Sequence, residues 1–351
     1  MMRNLIFTGL VLLGMACSDE SDGGPKRSDA VDLGGGANSY LVETGGVYEF
    51  SPTKVSGASV EGISSVDWLW ATKVDGSDEQ SIIGDVRLSD GKVRFTATGK
   101  EGNALIAAFD SEGAVLWSWL VWVTDRPGTV TYENGCVFLD RYIGATSADA
   151  ESPESYGLFY QWGRKDPFWG GTVDEIEAGN VPFEAAKVGT VVNGNLAAAW
   201  KVVPEGADIA RGIAEPMSFF VHTNYDWLAE HDETLWGRKK TDYDPCPAGY
   251  RVPLAAEMAD LAALQITEDL KKYVYEYDGG VDCYPVHGCR DNLGVLVLSP
   301  SVFVWSATTL PFESGGETKY FSTRLVASEF FTDVNAMGNR CFGQPVRCVA
   351  E

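Results

Sequence analysis

Apolar and polar residues alternate in short runs between residues 38 and 127. A period of two points alternate side chains toward the same face of a strand, so the pattern predicts β-structure. Turn-forming sequences such as residues 89–92 (SDGK) and 110–113 (DSEG) separate the runs and favour hairpins. About seven short strands at this spacing are typical of an all-β, immunoglobulin-like sandwich. Strands are predicted at residues 40–42, 47–50, 66–70, 86–88, 93–97, 104–109 and 115–123.

The last of these strands is rich in tryptophan. Trp117 and Trp119, together with Trp68 on an earlier strand, have the composition of a sugar-stacking platform. Aromatic residues spaced by two are more often the core of a sandwich. The sequence leaves both interpretations open, with the buried one the commoner.

Residues 125–128 (DRPG) end the alternating pattern, because Pro and Gly interrupt regular structure. The second region, residues 128–351, is irregular. A helix is predicted over residues 253–264, where Pro253 suits the first turn and Met258 and Leu261 share one face. A second helix is predicted over residues 217–229. Strands are predicted at residues 295–298, 302–305, 320–325 and 346–349, so the region is expected to be α+β.

The N-terminus has the layout of an export signal. Arg3 precedes an apolar run over residues 5–16 (LIFTGLVLLGMA) that is too short to span a bilayer. Cys17 comes after the small residue Ala16 and before an acidic stretch with no core-forming residues. We therefore expect residues 1–17 to be a lipoprotein signal peptide with Cys17 as the lipid anchor, and residues 18–37 to be an acidic, glycine-containing tether. A cleaved signal on a soluble protein is the alternative.

The net charge of −23 excludes one class of partner. Nucleic acid is not expected to bind, because its phosphates would be repelled. A strongly acidic chain suits a well-solvated surface protein.

Six cysteines remain once Cys17 is set aside, and all of them follow residue 130. An even number in an exported chain suggests up to three disulfides, and six cysteines allow fifteen pairings. Cys283 and Cys289 enclose a short loop and are expected to pair. The alternative is that the cysteines are buried free thiols.

Four strings of the second region occur in a specific order: residues 157–164 (GLFYQWGR), 244–253 (DPCPAGYRVP), 304–308 (VWSAT) and 345–349 (PVRCV). In this order they resemble the major paralogous domain family first described in Fibrobacter and common in Bacteroidetes surface lipoproteins. Tyr250 and Val252 stand where that family has Trp and Leu, and both changes conserve packing. Upstream, residues 37–42 (ANSYLV) and 113–119 (GAVLWSW) resemble a β-domain that precedes this family in fimbrillin-like adhesins.

The resemblance implies a C-type-lectin-like fold over residues 128–351, with roles in surface adhesion and glycan binding and no established reaction. It also implies a disulfide between Cys246 and Cys348, which would leave Cys136 with Cys341. The acidic stretch after Cys17 resembles a surface-export signal, which implies an outer membrane lipoprotein exposed at the cell surface. The family-motif residues are expected to be structural rather than ligand-binding, and they are Trp162, Gly163, Arg164, Pro247, Gly249, Arg251, Pro253, Trp305 and Arg347.

No pattern of catalytic residues is found. The histidines are His222, His231 and His287, and none has the spacing of a zinc site. His287 and Cys289 lie two residues apart, so both would face the same way without a third group to orient them. We therefore expect no enzymatic activity and no cofactor.

The acidic loops make calcium the one candidate metal. Asp278, Asp282, Asp291 and Asn292 form one loop cluster, and Asp333 and Asn335 precede the last strand. Oxygen ligands of this kind suit calcium, but no EF-hand spacing is present and solvated loop acids are the commoner arrangement.

The function that these features favour is that of a cell-surface lipoprotein, an adhesin or a module that binds a glycan or protein ligand without catalysis. One alternative is a structural or accessory subunit of a fimbria-like assembly. A second is an extracellular enzyme acting on glycans, which would need a pair of carboxylates beside a groove.

Overall fold

The computed structural model describes residues 30–72, 82–169, 190–192, 195–196, 201–221, 224–268, 272–297 and 301–351. The predicted signal segment, Cys17 and most of the predicted tether lie outside these ranges. Within them the chain is mostly β-sheet, with little helix.

Each strand predicted between residues 38 and 127 is confirmed, and one further short strand precedes them. The strands of this first region are β1 (Val31–Asp32), β2 (Ser39–Val42), β3 (Val47–Phe50), β4 (Ser65–Thr72), β5 (Ile83–Ser89), β6 (Lys92–Ala97), β7 (Gly102–Phe109) and β8 (Val115–Val123).

These strands form two sheets that pack face to face. The first has the order β1-β3-β6-β5, and the second contains the order β4-β7-β8-β2. Phe50 and Phe95 from the first sheet meet Trp119 from the second, and all three are fully buried. The ring centroids of Phe50 and Trp119 are 5.3 Å apart in an edge-on arrangement. Burial of each such ring contributes on the order of 2–3 kcal/mol, so aromatic packing holds this region together.

The tryptophans of β8 therefore belong to the core. Trp117 and Trp119 are 1% and 0% exposed, and the partly buried Trp68 packs against the same cluster. A stacking platform needs open ring faces, so the platform interpretation is wrong for the two residues of β8.

The second region contains many short strands and one α-helix among its described residues. Its strands are β9 (Thr129–Thr131), β10 (Val137–Leu139), β11 (Leu158–Tyr160), β12 (Phe168–Trp169), β13 (Thr190–Val192), β14 (Asn195–Leu196), β15 (Lys201–Val203), β16 (Ser218–Phe220), β17 (Tyr250–Arg251), β18 (Gln265–Ile266), β19 (Lys272–Tyr277), β20 (Gly280–Pro285), β21 (Cys289–Arg290), β22 (Leu296–Val297), β23 (Val302–Ser314), β24 (Glu317–Ala327), β25 (Thr332–Asn339), β26 (Gln344–Pro345) and β27 (Val349–Ala350). The helix is α1 (Ile209–Ala214), and 3₁₀ segments lie at Pro153–Ser155 and Ala255–Ala263.

These strands form several small sheets. Their orders are β17-β27-β10-β9, β12-β11-β26, β15-β16, β18-β19-β20, β21-β22 and β23-β24-β25. The β13–β14 hairpin instead extends the second sheet of the first region by pairing with β4. The long hairpin of β23 and β24, flanked by β25, is the largest regular element of the region.

The two predicted helices had different outcomes. Residues 253–264 contain the 3₁₀ segment Ala255–Ala263, with Met258 and Leu261 buried as predicted. A carboxylate oxygen of Glu257 accepts a 2.8 Å hydrogen bond from the Leu254 backbone N–H, which caps its first turn. The helix predicted over residues 217–229 is wrong. The parallel pairing of β16 with β15 holds its first residues extended, and turns follow.

The two regions share a hydrophobic core. The face of the second sheet that points away from the first sheet carries Trp70, Leu105 and Trp122, which join the cluster around Trp162 and Phe219 of the second region. The sheet is thus covered on both sides, which explains why β8 is apolar at nearly every position. No helix among the described residues is long and apolar enough to cross a membrane.

One disulfide is present among the described cysteines, and it joins Cys246 to Cys348 with a Cα–Cα distance of 6.0 Å. This is the pair that the family resemblance implies. It closes a loop of 102 residues between the segment before β17 and the end of the chain.

The other two expected disulfides are wrong, since Cys136, Cys283, Cys289 and Cys341 are not joined by disulfide bonds. Cys136 packs beside the cluster of Met258 and Leu261, whereas Cys341 lies in the core shared by the two regions. Cys283 lies on β20 and Cys289 on β21, which belong to different sheets, so their side chains have different surroundings.

Candidate functional site

Most motif residues of the second region are buried and make structural contacts, whereas Pro247 is half-buried and Gly249 is exposed. Arg164 is 3% exposed, and its guanidinium donates hydrogen bonds to the carbonyl oxygens of Ser218 (2.6 Å) and Gly212 (3.1 Å). Burial lowers the pKa of Arg164 to about 10. The same group lies 5.0–5.3 Å from three aromatic rings, so it ties the end of α1 to the core.

The two motif tryptophans hold strands together through their indole N–H groups. Trp162 donates to the Ser306 carbonyl at 2.9 Å, and Trp305 donates to the Tyr160 carbonyl at 2.7 Å. Gly163 has a φ of +85°, and a Cβ there would lie 2.6 Å from Leu235 Cδ1, so only glycine fits between these contacts.

The turn before β17 is held by a lysine that the sequence did not single out. Lys240 Nζ donates to the carbonyl oxygens of Cys246 (2.6 Å) and Pro247 (3.2 Å). Gly249, at φ +81°, provides the left-handed residue of this turn. Just after it, Arg251 pairs with Glu257 at 2.5 Å. Pro253 then accepts a 2.7 Å hydrogen bond from the Ala307 backbone N–H.

The residues proposed for calcium are not brought together. Asp282 is 3% exposed and forms an ion pair with Arg347, which is 1% exposed. Tyr132 donates to the other carboxylate oxygen of Asp282 at 2.6 Å and is also 2.6 Å from the hydroxyl of Tyr284. Asp282 therefore serves a buried polar network because β20 turns its side chain inward.

The remaining acidic residues cap their own turns or lie apart. Asp291 accepts hydrogen bonds from the backbone N–H groups of Leu293 and Val295, and Asp333 accepts one from Asn335. Asp278 lies in the turn between β19 and β20, and Asn292 is exposed. Across the described residues, no three Asp, Glu, His or Cys side chains converge as a metal site.

A buried Ser-Lys-Asp arrangement lies at the junction of the two regions. Lys165 Nζ donates to Asp166 Oδ1 at 2.7 Å and to Ser118 Oγ at 2.6 Å, and Ser118 donates to the same carboxylate at 2.5 Å. The ammonium also lies 4.5 Å from the Trp117 ring. The side chains of Lys165 and Asp166 are 2% and 3% exposed, so no substrate reaches them. The arrangement fastens β8 to the second region.

His287 and Cys289 are likewise buried. Burial lowers the pKa of His287 to about 4 and raises the pKa of the Cys289 thiol to about 11. A thiol that stays protonated is a poor nucleophile, so the pair does not suit covalent chemistry.

The best candidate for a ligand site is a group of one exposed ring, Tyr225, and two partly exposed rings, His231 and Tyr320, which we call the aromatic ledge. Tyr225 is 37% exposed. The rings of His231 and Tyr320 stack at 4.0 Å with an interplanar angle of 28°. The loop after β16 supplies the first two residues, and β24 supplies the third.

A buried carboxylate orients His231. Asp226 is 1% exposed, and its Oδ2 lies 3.0 Å from His231 Nδ1. Because a carboxylate only accepts, Nδ1 carries the proton and Nε2 is left as an acceptor. Asn224 Nδ2 lies 3.4 Å from that Nε2, a long contact near the limit of a hydrogen bond. In this neutral tautomer the imidazole can accept a hydrogen bond from a ligand hydroxyl.

Arg340 fixes the underside of the ledge. It is fully buried, lies 4.4 Å from the Trp162 ring, and donates to the Phe321 carbonyl at 3.0 Å. Its two terminal nitrogens reach Asp226 at 3.5 Å and Glu233 at 3.3 Å. The ledge is thus connected to the family-motif core without an uncompensated buried charge.

The ledge borders an open groove of about 840 Å³. Residues 206–211 form one wall and residues 228–232 the other, with His231 part of both groove and ledge. The two walls are joined by hydrogen bonds from Ala207 N to the Trp227 carbonyl and from Ala229 N to the Ala207 carbonyl, each 2.9 Å. This volume is in the range of small-molecule and cofactor sites.

Backbone strain also marks the ledge. Tyr225 has a φ of +72°, a left-handed conformation that an aromatic residue rarely adopts. The Asn224 side-chain oxygen accepts from the Asp226 backbone N–H at 3.3 Å, which supports the turn. Strained residues of this kind concentrate at binding and catalytic sites.

None of the ledge residues was identified as functional from the sequence. The segment was interpreted as a helix, which hid a turn signal: Asn224 and Asp226 are residues that favour turns through side-chain hydrogen bonds to backbone. Tyr320 and Arg340 are far from this turn along the chain, so only the fold brings them together.

Comparison of the chain with protein-family models, with curated proteins and with solved structures found no match. The geometry of the ledge and groove is therefore the basis for a functional proposal.

Proposed function

We propose that this chain is a lipid-anchored surface protein that binds a ligand at the aromatic ledge and has no catalytic activity. Residues 38–127 would be an immunoglobulin-like spacer, and residues 128–351 a C-type-lectin-like domain. Cys17 would hold the mature chain in the outer membrane, with the folded part outside the cell. Adhesion to a glycan or protein is the role that agrees with an anchor, a spacer and a binding domain in one chain.

One observation carries the binding proposal: the partly exposed His231 lines an open groove and stacks on Tyr320, and buried Asp226 holds its ring in place. The ion pairs of Arg340 with Asp226 and Glu233 hold this loop in shape before any ligand arrives, although Tyr225 has a strained φ. A preformed site loses less conformational entropy on binding.

Support for the lectin-like assignment comes from the disulfide. Cys246 precedes β17 and the 3₁₀ segment Ala255–Ala263, and Cys348 adjoins the last strand, β27. A bond between these two places is the one expected of lectin-like domains. Support for the spacer comes from the two facing sheets and their separate core.

Arrays of glycans and host-matrix proteins test the binding proposal, each probed with the purified protein once in calcium and once in chelator. We expect reproducible binding to one ligand class, and loss of that binding in Tyr320→Ala. Phe330→Ala is the matched control, because Phe330 is 88% exposed on the turn between β24 and β25, away from the ledge. Binding that survives Tyr320→Ala, or no binding by a folded protein on either array, would refute the proposal.

The anchor is tested separately. Cys17→Ala is expected to move the protein from the membrane fraction to the soluble fraction, because the lipid-bearing thiol is gone. Continued sedimentation with membranes would show that another part of the chain holds it there.

A further inference from the structure

Arg324 on β24 differs from the other arginines of the described chain that are not exposed, because its guanidinium forms neither a hydrogen bond nor an ion pair. Its Nε and Nη1 atoms are enclosed and have no partner. Other buried arginines, such as Arg340 and Arg347, are paired with carboxylates. Buried charges in proteins are normally paired, so an unpaired guanidinium requires an explanation of its own.

Two aromatic rings lie beside this guanidinium. Arg324 Cζ is 5.0 Å from the ring centroid of Phe303 on β23 and 5.7 Å from that of Phe342, which precedes β26. A Cβ at Gly338 on β25 would lie 3.0 Å from Arg324 Cδ, so this glycine leaves the space that the arginine stem occupies. Ring faces attract a cation but accept only weak hydrogen bonds from N–H groups. The rings therefore hold the guanidinium in place and leave its donors without acceptors.

The charge of Arg324 is not balanced by a carboxylate in the described part of the chain. Burial lowers the pKa of Arg324. The described group that acts on this pKa through its charge is Cys289, whose own pKa of about 11 keeps its thiol protonated and uncharged. A guanidinium remains protonated at neutral pH even when it is buried. The structure thus holds a fixed positive charge without a negative partner.

One edge of the guanidinium is open to a ligand. Arg324 and both rings are partly exposed, and Nη2 is the guanidinium nitrogen that is not enclosed. A carboxylate that binds Nη2 with one oxygen directs its second oxygen toward Nη1, as in bidentate arginine–carboxylate pairs. The edges of the rings suit an apolar group attached to that carboxylate. The net charge of −23 repels each negative charge of a ligand, so a monoanion is favoured over a phosphate dianion.

We propose that Arg324, Phe303 and Phe342 form a binding site for a small organic monocarboxylate with an apolar body. The carboxylate pairs with the guanidinium, and the apolar body packs against the two rings. The site contains none of the ledge residues, so it is separate from the binding proposed there and does not depend on it.

Thermal unfolding of the full purified protein in chloride-free buffer, with benzoate, acetate, benzyl alcohol or phenyl phosphate, tests the proposal, and calorimetric titration gives the affinities. Benzoate should raise the Tm most, acetate less because it has no ring, and benzyl alcohol not at all because it has no charge. Arg324→Gln should weaken benzoate binding at least about tenfold, because it removes charge-assisted hydrogen bonds. Arg126→Gln, at an exposed arginine between β8 and β9, is the matched control and should bind benzoate as the wild type does.

The stability of the ligand-free variant separates binding from packing. Without a carboxylate, Arg324→Gln should unfold at the same temperature as the wild type or at a higher one, because it removes an unpaired buried charge. A marked fall in its Tm, or equal benzoate shifts in the wild type and Arg324→Gln, would mean that Arg324 serves packing and would overturn the proposal. A wild type that benzoate does not stabilise would overturn it as well. A larger shift with phenyl phosphate or benzyl alcohol than with benzoate would overturn the ligand class.

Discussion

The two regions of this molecule are each stabilised by a different kind of interaction. The core of the first region consists almost entirely of apolar side chains, with Phe50, Phe95 and Trp119 at its centre. In the second region arginines and a lysine are buried among carbonyls and carboxylates, and a disulfide closes the chain. Apolar burial is non-directional, whereas each buried charge requires its partner in one geometry. The second region is therefore better suited to holding exposed side chains in a fixed arrangement.

Removal of the disulfide should have the largest effect. Cys246→Ala with Cys348→Ala releases a loop of 102 residues, and loop-closure entropy predicts a loss of about 4 to 5 kcal/mol in the free energy of unfolding. Urea denaturation measures it. Cys136→Ala, at a half-buried free thiol, is the control and should change little. Equal stability of the double variant and the wild type would show that the second region does not depend on its crosslink.

Loss of one buried charge should come next. Lys165→Met leaves Asp166 buried without its cation, and an unpaired buried carboxylate costs about 3 to 5 kcal/mol. The matched change in the first region is Lys92→Met, whose lysine pairs at the surface with Asp32 and Glu49 and should matter little. Similar losses of unfolding free energy in the two variants would remove the contrast between the regions.

Acid should destabilise the second region more than the first, because the three histidines all follow residue 128. Burial lowers the pKa of His287 from 6.5 to about 4, so the unfolded state binds more protons between these values. The free energy of unfolding should therefore fall as the pH drops from 6.5 to 4. His287 alone should account for a loss of about 2 to 3 kcal/mol at pH 4.5. His287→Phe should remove that share, since Tyr142 and Phe159 already surround the ring. Identical pH dependence of both proteins would contradict the buried, neutral state of His287.

The smallest effect is expected in the first region. Phe50→Leu keeps an apolar side chain but loses ring contacts with Tyr40 (4.2 Å) and Trp119 (5.3 Å), for a cost of about 1 to 1.5 kcal/mol. Thermal unfolding of Phe50→Leu, compared with the wild type and the other variants, measures this loss of stability. A loss of stability as large as that of Lys165→Met would mean that the apolar core is as sensitive to one substitution as the buried polar contacts are.

The same contrast explains how much the sequence predicts. Alternation of period two is a local signal, and it located the strands between residues 38 and 127. In the second region the decisive contacts link distant residues, such as Arg347 to Asp282 and Arg340 to Asp226. No local pattern reports such pairs, so Asp282 was interpreted as a loop acid. The motif arginines were expected to bridge loop carbonyls, and Arg164 does so.

The candidate site could not be predicted from the sequence for a related reason. Its residues come from a turn at Tyr225, from His231 and from Tyr320 on β24. The long hairpin of β23 and β24 was predicted only in two fragments, so the approach of β24 to this turn was not foreseen.

Hydrogen–deuterium exchange with and without the array ligand that binds most tightly is the most direct test of the central claim, that the ledge binds a ligand and the first region only carries it. We expect slower exchange in peptides that cover residues 224–233 and 317–322, and no change over residues 39–123. Protection confined to the first region, or to the turn at residues 328–332 that carries Phe330, would contradict the account.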